Sequence, residues 1–163
     1  MPGAPLTAVS WLLVLAVVVN GILAGLSFEV AAVKLPTRKR IGAVAYANFA
    51  RGNDLGNGLF VYPAIGVLAA LLVFGTTIMA SLAQAPRSVF LLLVLASAAT
   101  IAHSVCTVNA APIMLSLRST PDDGELLTAK FDRFAIWHGV RAVFQFLTFV
   151  VLLWALVEAA SHP

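Results

Sequence analysis

Four long apolar runs decide what this chain can fold into. They cover about residues 8–33, 59–82, 88–108 and 134–157, and each reaches or exceeds the roughly 20 residues that carry a helix across a ~30 Å hydrocarbon layer. Backbone N–H and C=O groups in that layer have to be satisfied within the segment itself, which leaves the helix as the form such runs can take. Of the 163 residues, 61% are hydrophobic and 10% charged, too little polar surface for a domain standing in water. The expected architecture is all-α: an integral membrane four-helix bundle forming one transmembrane domain over residues 1–163.

The first run sits where a signal peptide would. Its leader MPGAPLT holds no Lys or Arg, and the apolar stretch is too long for a cleaved h-region, so it is expected to remain as a mature helix. Thr7, the Gly52–Asp54 cluster and Pro86 are the expected helix starts, and Pro36 the expected stop of the first helix.

Charge placement gives an orientation. Lys34, Arg38, Lys39, Arg40 and Arg51 follow the first run, Arg118, Lys130 and Arg133 follow the third, and Arg87 stands alone between the second and third. Basic residues are retained on the cytoplasmic side, so loops 34–58 and 109–133 are expected there, with both termini on the opposite side, in the plasma membrane if the chain is bacterial. The net charge of +3 is then an orientation signal, and no nucleic-acid partner is expected. Residues 37–51 have a basic start and a mixed apolar face through Ile41, Val44, Ala45, Tyr46 and Phe49. That pattern suits a short interfacial helix touching membrane lipid between helices 1 and 2, or a plain orientation signal. The one cysteine, Cys106, excludes an internal disulfide and a multi-cysteine metal site.

The polar residues inside the runs carry the functional reading. Glu29 lies about four residues from the inner end of helix 1, His103 about five from that of helix 3, and His138 and Arg141 about four and seven into helix 4. At 1.5 Å per residue all four fall in one layer, roughly 6–11 Å inside the cytoplasmic boundary. Asp54 and Asn57 join it from the start of helix 2, with Thr107 and Asn109 nearer the surface. On helix 4, Phe134, His138, Arg141 and Gln145 share a stripe, with Trp137 at its margin. Ionisable groups cost a few kcal/mol each when turned to lipid, so convergence on a polar pocket is expected.

Packing roles compete with that reading. Arg141 could pair with Glu29 or snorkel, the two histidines could bond a neighbouring helix, and Asn20, Thr76, Thr77 and Gln145 could be helix-to-helix glue. His162 reads as tail. As chemistry, His103, His138 and Glu29 could hold a transition metal with open positions for dioxygen. Without a metal, His138 is the expected base while Arg141 stabilises the anion it creates, with Glu29 and His103 in support. Trp137, Asn109, Asn57 and Phe134 would then contact a small hydrophobic aromatic substrate. Two other classes fit the same residues: a non-catalytic membrane subunit or ligand- or lipid-binding protein, and a small proton-coupled carrier. The carrier would need a second copy, for which Gly21 and Gly25 supply a G-x-x-x-G that could support a homo-oligomer.

Three segments carry a family resemblance over nearly the whole chain: "AGLSFEVAAVKLP" closing the first run, "TVNAAPIMLSL" closing the third and "RFAIWHGVRAVFQF" opening the fourth. Together they resemble the anthrone-oxygenase-like family of small membrane proteins. The sharpest element is Trp137-His138-x-x-Arg141 preceded by Arg133; Pro112 is a softer match. Met114 stands where the family commonly has asparagine, and Phe134 where tryptophan is frequent. The resemblance implies a dioxygen-dependent oxidoreductase acting on a polycyclic phenol, anthrone to anthraquinone in characterised members, and it extends to His138 and Arg141. Glu29 and His103 rest on depth alone.

Overall fold

The computed structural model describes residues 8–161, so the expected cap Thr7 and the tail residue His162 lie outside the described residues. Helix α1 (Ala8–Glu29) runs through a π-helical turn, Val30–Lys34, directly into α2 (Leu35–Ile41). Helix α3 (Ala43–Gly52) leads through a second π-helical turn, Asn53–Asn57, into α4 (Gly58–Leu82). A tight turn then leads to α5 (Arg87–Leu115), a single 3₁₀ turn (Ser116–Arg118) and α6 (Gly124–Ser161). There is no strand among the described residues. Four segments, Ala8–Ile41, Ala43–Leu82, Arg87–Arg118 and Gly124–Ser161, are long and apolar enough to cross a membrane, as the four apolar runs require.

Several expected boundaries move, each for a local reason. Pro36 does not stop the first helix. It follows the π-helical turn Val30–Lys34, whose i−5 bonding, Leu35 N–H to the Val30 carbonyl, widens the helix where the proline ring and its missing N–H have to be accommodated. The stop is Gly42, whose φ of 86° lies in the left-handed region that a β-carbon disfavours. Gly52–Asp54 does not start α4 either: the chain stays helical through it and kinks at Gly56. Pro86 does precede α5, in an extended conformation with φ −48° and ψ 139°. The fourth helix begins at Gly124 rather than near residue 134, because the Asp123 carboxylate accepts hydrogen bonds from the N–H groups of Glu125 at 2.9 Å and Leu126 at 3.0 Å. That is an N-cap satisfying two otherwise orphaned donors.

The segment expected as one interfacial helix is broken at Gly42. Of its expected apolar face only Tyr46 is fully buried: with Ala47 and Ala50 of α3 it packs against Leu117, Leu127 and Phe131, edge to face with Phe131 at 4.9 Å, while Ile41, Ala45 and Phe49 stay exposed. Arg51 secures the same end. It donates to the carbonyls of Leu117 (3.0 Å) and Thr120 (2.7 Å), to the Asn48 side chain (2.8 Å) and to Asp122 (2.7 Å). Arg38 of α2 pairs with Asp132 of α6 at 2.5 Å.

The long helices form an up-and-down ring in which α1 neighbours α4 and α6, and α5 neighbours the same two. Two apolar cores fill it. One, at the α4–α5 turn, joins Leu13, Val73, Leu93 and Leu152; the other, under α3, joins Leu117, Leu127, Phe131 and Phe134. Between them, on α1, α5 and α6, lie buried polar residues: Asn20, Ser27, Thr100, His103, His138, Gln145 and Thr148. Asn20, Thr100 and Thr148 satisfy themselves by bonding the carbonyl four residues back, at 2.9 Å each. Ser27, His103, His138 and Gln145 look across the ring instead.

Gly21 lets α1 and α6 approach. A β-carbon there would stand 3.0 Å from the Phe149 ring, whereas one at Gly25 would meet nothing. The G-x-x-x-G therefore does not present two free glycines to a second copy. One of them is occupied inside the bundle.

Candidate functional site: a buried histidine–arginine centre

The centre is built on α6. Successive turns bring Phe134, His138, Arg141 and Gln145 to the side facing α1 and α5, as the stripe in the sequence requires. His138 is fully buried and Phe134 nearly so. Their rings stack with centroids 5.4 Å apart and 24° between planes, which fixes the imidazole against rotation.

Two hydrogen bonds then define its protonation. Arg141 bonds Nδ1 of His138 at 2.6 Å, and Nε2 of His138 bonds the Ser27 carbonyl of α1 at 3.0 Å. A guanidinium only donates and a carbonyl only accepts. Nδ1 therefore presents its lone pair and Nε2 carries the proton: His138 is a neutral imidazole in one tautomer, linking α6 to α1. The Ser27 hydroxyl donates to the side-chain oxygen of Gln145, closing a second α1–α6 link one turn away.

His103 stands apart in kind. It is 4% exposed, yet neither ring nitrogen has a hydrogen-bond partner, and Nε of Arg141 is likewise buried and unpaired. Arg141 lies within electrostatic reach of both His103 and Cys106 across the α5–α6 interface. Buried polar atoms are nearly always satisfied. An imidazole donor and acceptor and a guanidinium N–H, all unpaired in one layer, are what a small molecule with an anionic or acceptor oxygen would complete.

Glu29 does not join this centre. Its carboxylate pairs with Lys34 at 3.3 Å and is 43% exposed; Lys34 in turn reaches the Tyr62 hydroxyl at 3.3 Å. The alternative in which Glu29 pairs with Arg141 is thus excluded by the Glu29–Lys34 pair, because Lys34 follows Glu29 by one wide turn on the same helix. Among the described residues no three His, Cys, Asp or Glu side chains come together in a group that could hold a metal. The set His103, His138 and Glu29 is not assembled: the carboxylate is elsewhere and both nitrogens of His138 are engaged.

The expected substrate contacts divide. Phe134 belongs to the centre, whereas Trp137 is half-buried and packs on the core under α3. Asn57 and Asn109 are exposed; Asn109 bonds the Val105 carbonyl at 2.8 Å on the outer side of α5. Asp54 takes a hydrogen bond from Asn53 at 2.8 Å in the second π turn, outside the layer. Sequence reasoning passed over Ser27, an α1 anchor for His138, and Cys106, one turn from His103. Ser27 follows Asn20 by seven residues, two helical turns, and that repeat of small polar residues in an apolar run was the available signal.

The fold and the centre define a class of protein: a four-helix chain long and apolar enough to span a membrane four times, with a His–His–Arg layer sealed between two apolar cores. Comparison with known protein families, curated proteins and solved structures finds no match for this chain.

Proposed function

We propose that this protein is a membrane oxidoreductase of the anthrone-oxygenase type, which binds a phenolic or polycyclic small molecule in the His103–Arg141 layer and oxidises it with dioxygen. The single observation that carries the reading is the pair of unsatisfied buried groups, the His103 ring and Arg141 Nε, on facing helices within electrostatic reach of one another.

Their chemistry divides naturally. His103, whose ring nitrogens have no protein partner, is the base that takes a proton from the acidic methylene of an anthrone-like substrate. Arg141 holds the enolate oxygen that results, in a low-dielectric site where such a contact is strongest. His138, the base expected from the sequence, is instead a positioning residue, since its free lone pair is already spent on Arg141 and its N–H on Ser27. The electron-rich enolate carbon then bonds dioxygen, and loss of water from the hydroperoxide leaves a carbonyl. The balance is one CH₂ plus O₂ giving one C=O plus H₂O, with no further reductant. Segments 34–58 and 109–133, largely helical, are assigned to the cytoplasmic side and both termini to the other, a reading supported by the eight basic residues against one.

The test is dioxygen uptake with anthrone by the purified chain, above the rate in detergent buffer alone. His103→Leu and Arg141→Leu should each lose about 100-fold or more, the usual contribution of acid–base catalysis. Folded variants that consume dioxygen at the parent rate would remove the assignment.

A further inference from the structure

A second feature lies outside the bundle and owes nothing to the oxidation chemistry. Where α5 ends and α6 begins, their outer faces form an open groove of about 530 Å³. Its walls are two helical stripes. Lys130 and Arg133 stand on the α6 side, Ser116 and Asn109 on the α5 side, and Val108 and Ile113 help make an apolar floor. No acidic residue lines it.

The charges here are not consumed by the protein. Arg133 has no acidic partner among the described residues. Lys130 donates one hydrogen bond, to Ser116 at 2.7 Å, which holds the ammonium at the rim, and an ammonium has three donors. Nearby acids are committed elsewhere: Asp132 to Arg38, Asp122 to Arg51, and Asp123 to the start of α6. Glu125, the other acid at the start of α6, does not line the groove, and the Ser116 hydroxyl is spent on the Ile113 carbonyl at 2.7 Å, so what the groove offers is two positive charges beside the second N–H of the Asn109 amide.

The same stripes continue toward the middle of the spans as exposed apolar side chains, Ile101 and Val105 on α5 and Ile136 and Val140 on α6. Position along the helices therefore sorts the surface into a cationic end and an oily track leading away from it. That is the outline of an anionic amphiphile whose head lies at the membrane boundary and whose chains lie along the protein. Basic pockets between transmembrane helices bind acidic lipid head groups on this physical basis.

We infer that the α5–α6 groove is a binding site for one anionic phospholipid of the adjacent leaflet, its phosphate held by Lys130 and Arg133 and its acyl chains lying on Ile101, Val105, Ile136 and Val140.

The experiment is native mass spectrometry of the full chain, released from detergent with equimolar phosphatidylglycerol and phosphatidylcholine of identical acyl chains. One phosphatidylglycerol should be retained at least fivefold over phosphatidylcholine, and Lys130→Gln/Arg133→Gln should bring the two to parity. Because Lys130 also bonds Ser116, Arg133→Glu is the companion variant; it breaks no ion pair among the described residues and should abolish the preference alone. Lys39→Gln/Arg40→Gln, which removes exposed charge at the same end but away from the groove, should leave the preference intact. Equal retention of the two lipids by the parent overturns the inference. So does a preference that survives both groove variants, or one lost in Lys39→Gln/Arg40→Gln. Displacement of the lipid by millimolar glycerol 3-phosphate would mark a site for soluble phosphates and overturn it too.

Discussion

Arg141 donates to Nδ1 of His138 at 2.6 Å across one turn of α6, so the cation and the imidazole are neighbours on the same helix face rather than partners in an ion pair. The bond does two things. It holds the guanidinium inward, toward α5, and it forces the proton of His138 onto Nε2, where Ser27 of α1 receives it.

Removing the imidazole should therefore leave a buried cation without its acceptor. His138→Phe is expected to cost about 1.5–3 kcal/mol, the range for hydrogen bonds to charged groups. Adding Arg141→Leu should recover part of that loss. Thermal unfolding in detergent for the two single variants and the double reads the coupling directly, and a strictly additive double variant would refute it. Nitrogen-15 NMR of labelled histidine should also show a neutral His138 of the Nε2–H tautomer, whose unprotonated Nδ1 resonance shifts in Arg141→Leu as it loses its donor.

Gly21→Ala should destabilise while Gly25→Ala does not. The new methyl meets the Phe149 ring at 3.0 Å, an overpacked contact worth about 1 kcal/mol or somewhat more. Phe149→Leu should relieve it. Equal melting temperatures for the two alanine variants would show that α1 and α6 do not depend on the close approach at residue 21.

Arg51→Lys should loosen the segment between α5 and α6 without unfolding the bundle. An ammonium cannot reproduce a guanidinium that reaches two carbonyls, an amide and a carboxylate at once. Limited proteolysis should cut residues 116–123 several-fold faster in the variant, and unchanged cleavage would assign the clasp no role.

Asp123→Ala removes the acceptor for two N–H groups at the start of α6. The expected cost is about 1 kcal/mol, typical of a lost N-cap, with faster amide hydrogen exchange confined to residues 124–127. Uniform acceleration along α6 would instead mean that the whole helix, not its first turn, depends on the cap.

The spans were legible because twenty apolar residues in a row admit few structures. What escaped was governed by single atoms. The start of α6 turned on one carboxylate, Asp123, inside a stretch whose Pro-Asp-Asp-Gly composition suggests a loop. The stripe of Phe134, His138, Arg141 and Gln145 was readable from helical periodicity, since one helix fixes its own azimuths. The placement of Glu29 was not, because depth along an axis leaves rotation about that axis open, and a lysine five residues on captured the carboxylate first. His103 was at the right depth and also faces inward. Nothing in a linear sequence, however, distinguishes a histidine that finds partners from one that finds none.

The packing of Tyr46 on Phe131 has a last consequence. It stoppers the ring at the α3 end, and the Leu13–Leu93–Leu152 core stoppers the other, so among the described residues apolar side chains close the bundle axis on both sides of His103. In a bilayer, a solute would have to arrive sideways, slipping between helices from the hydrocarbon. Oil solubility would then screen visitors before any imidazole or guanidinium touched them, and a highly water-soluble acid, however well matched in shape, would seldom arrive.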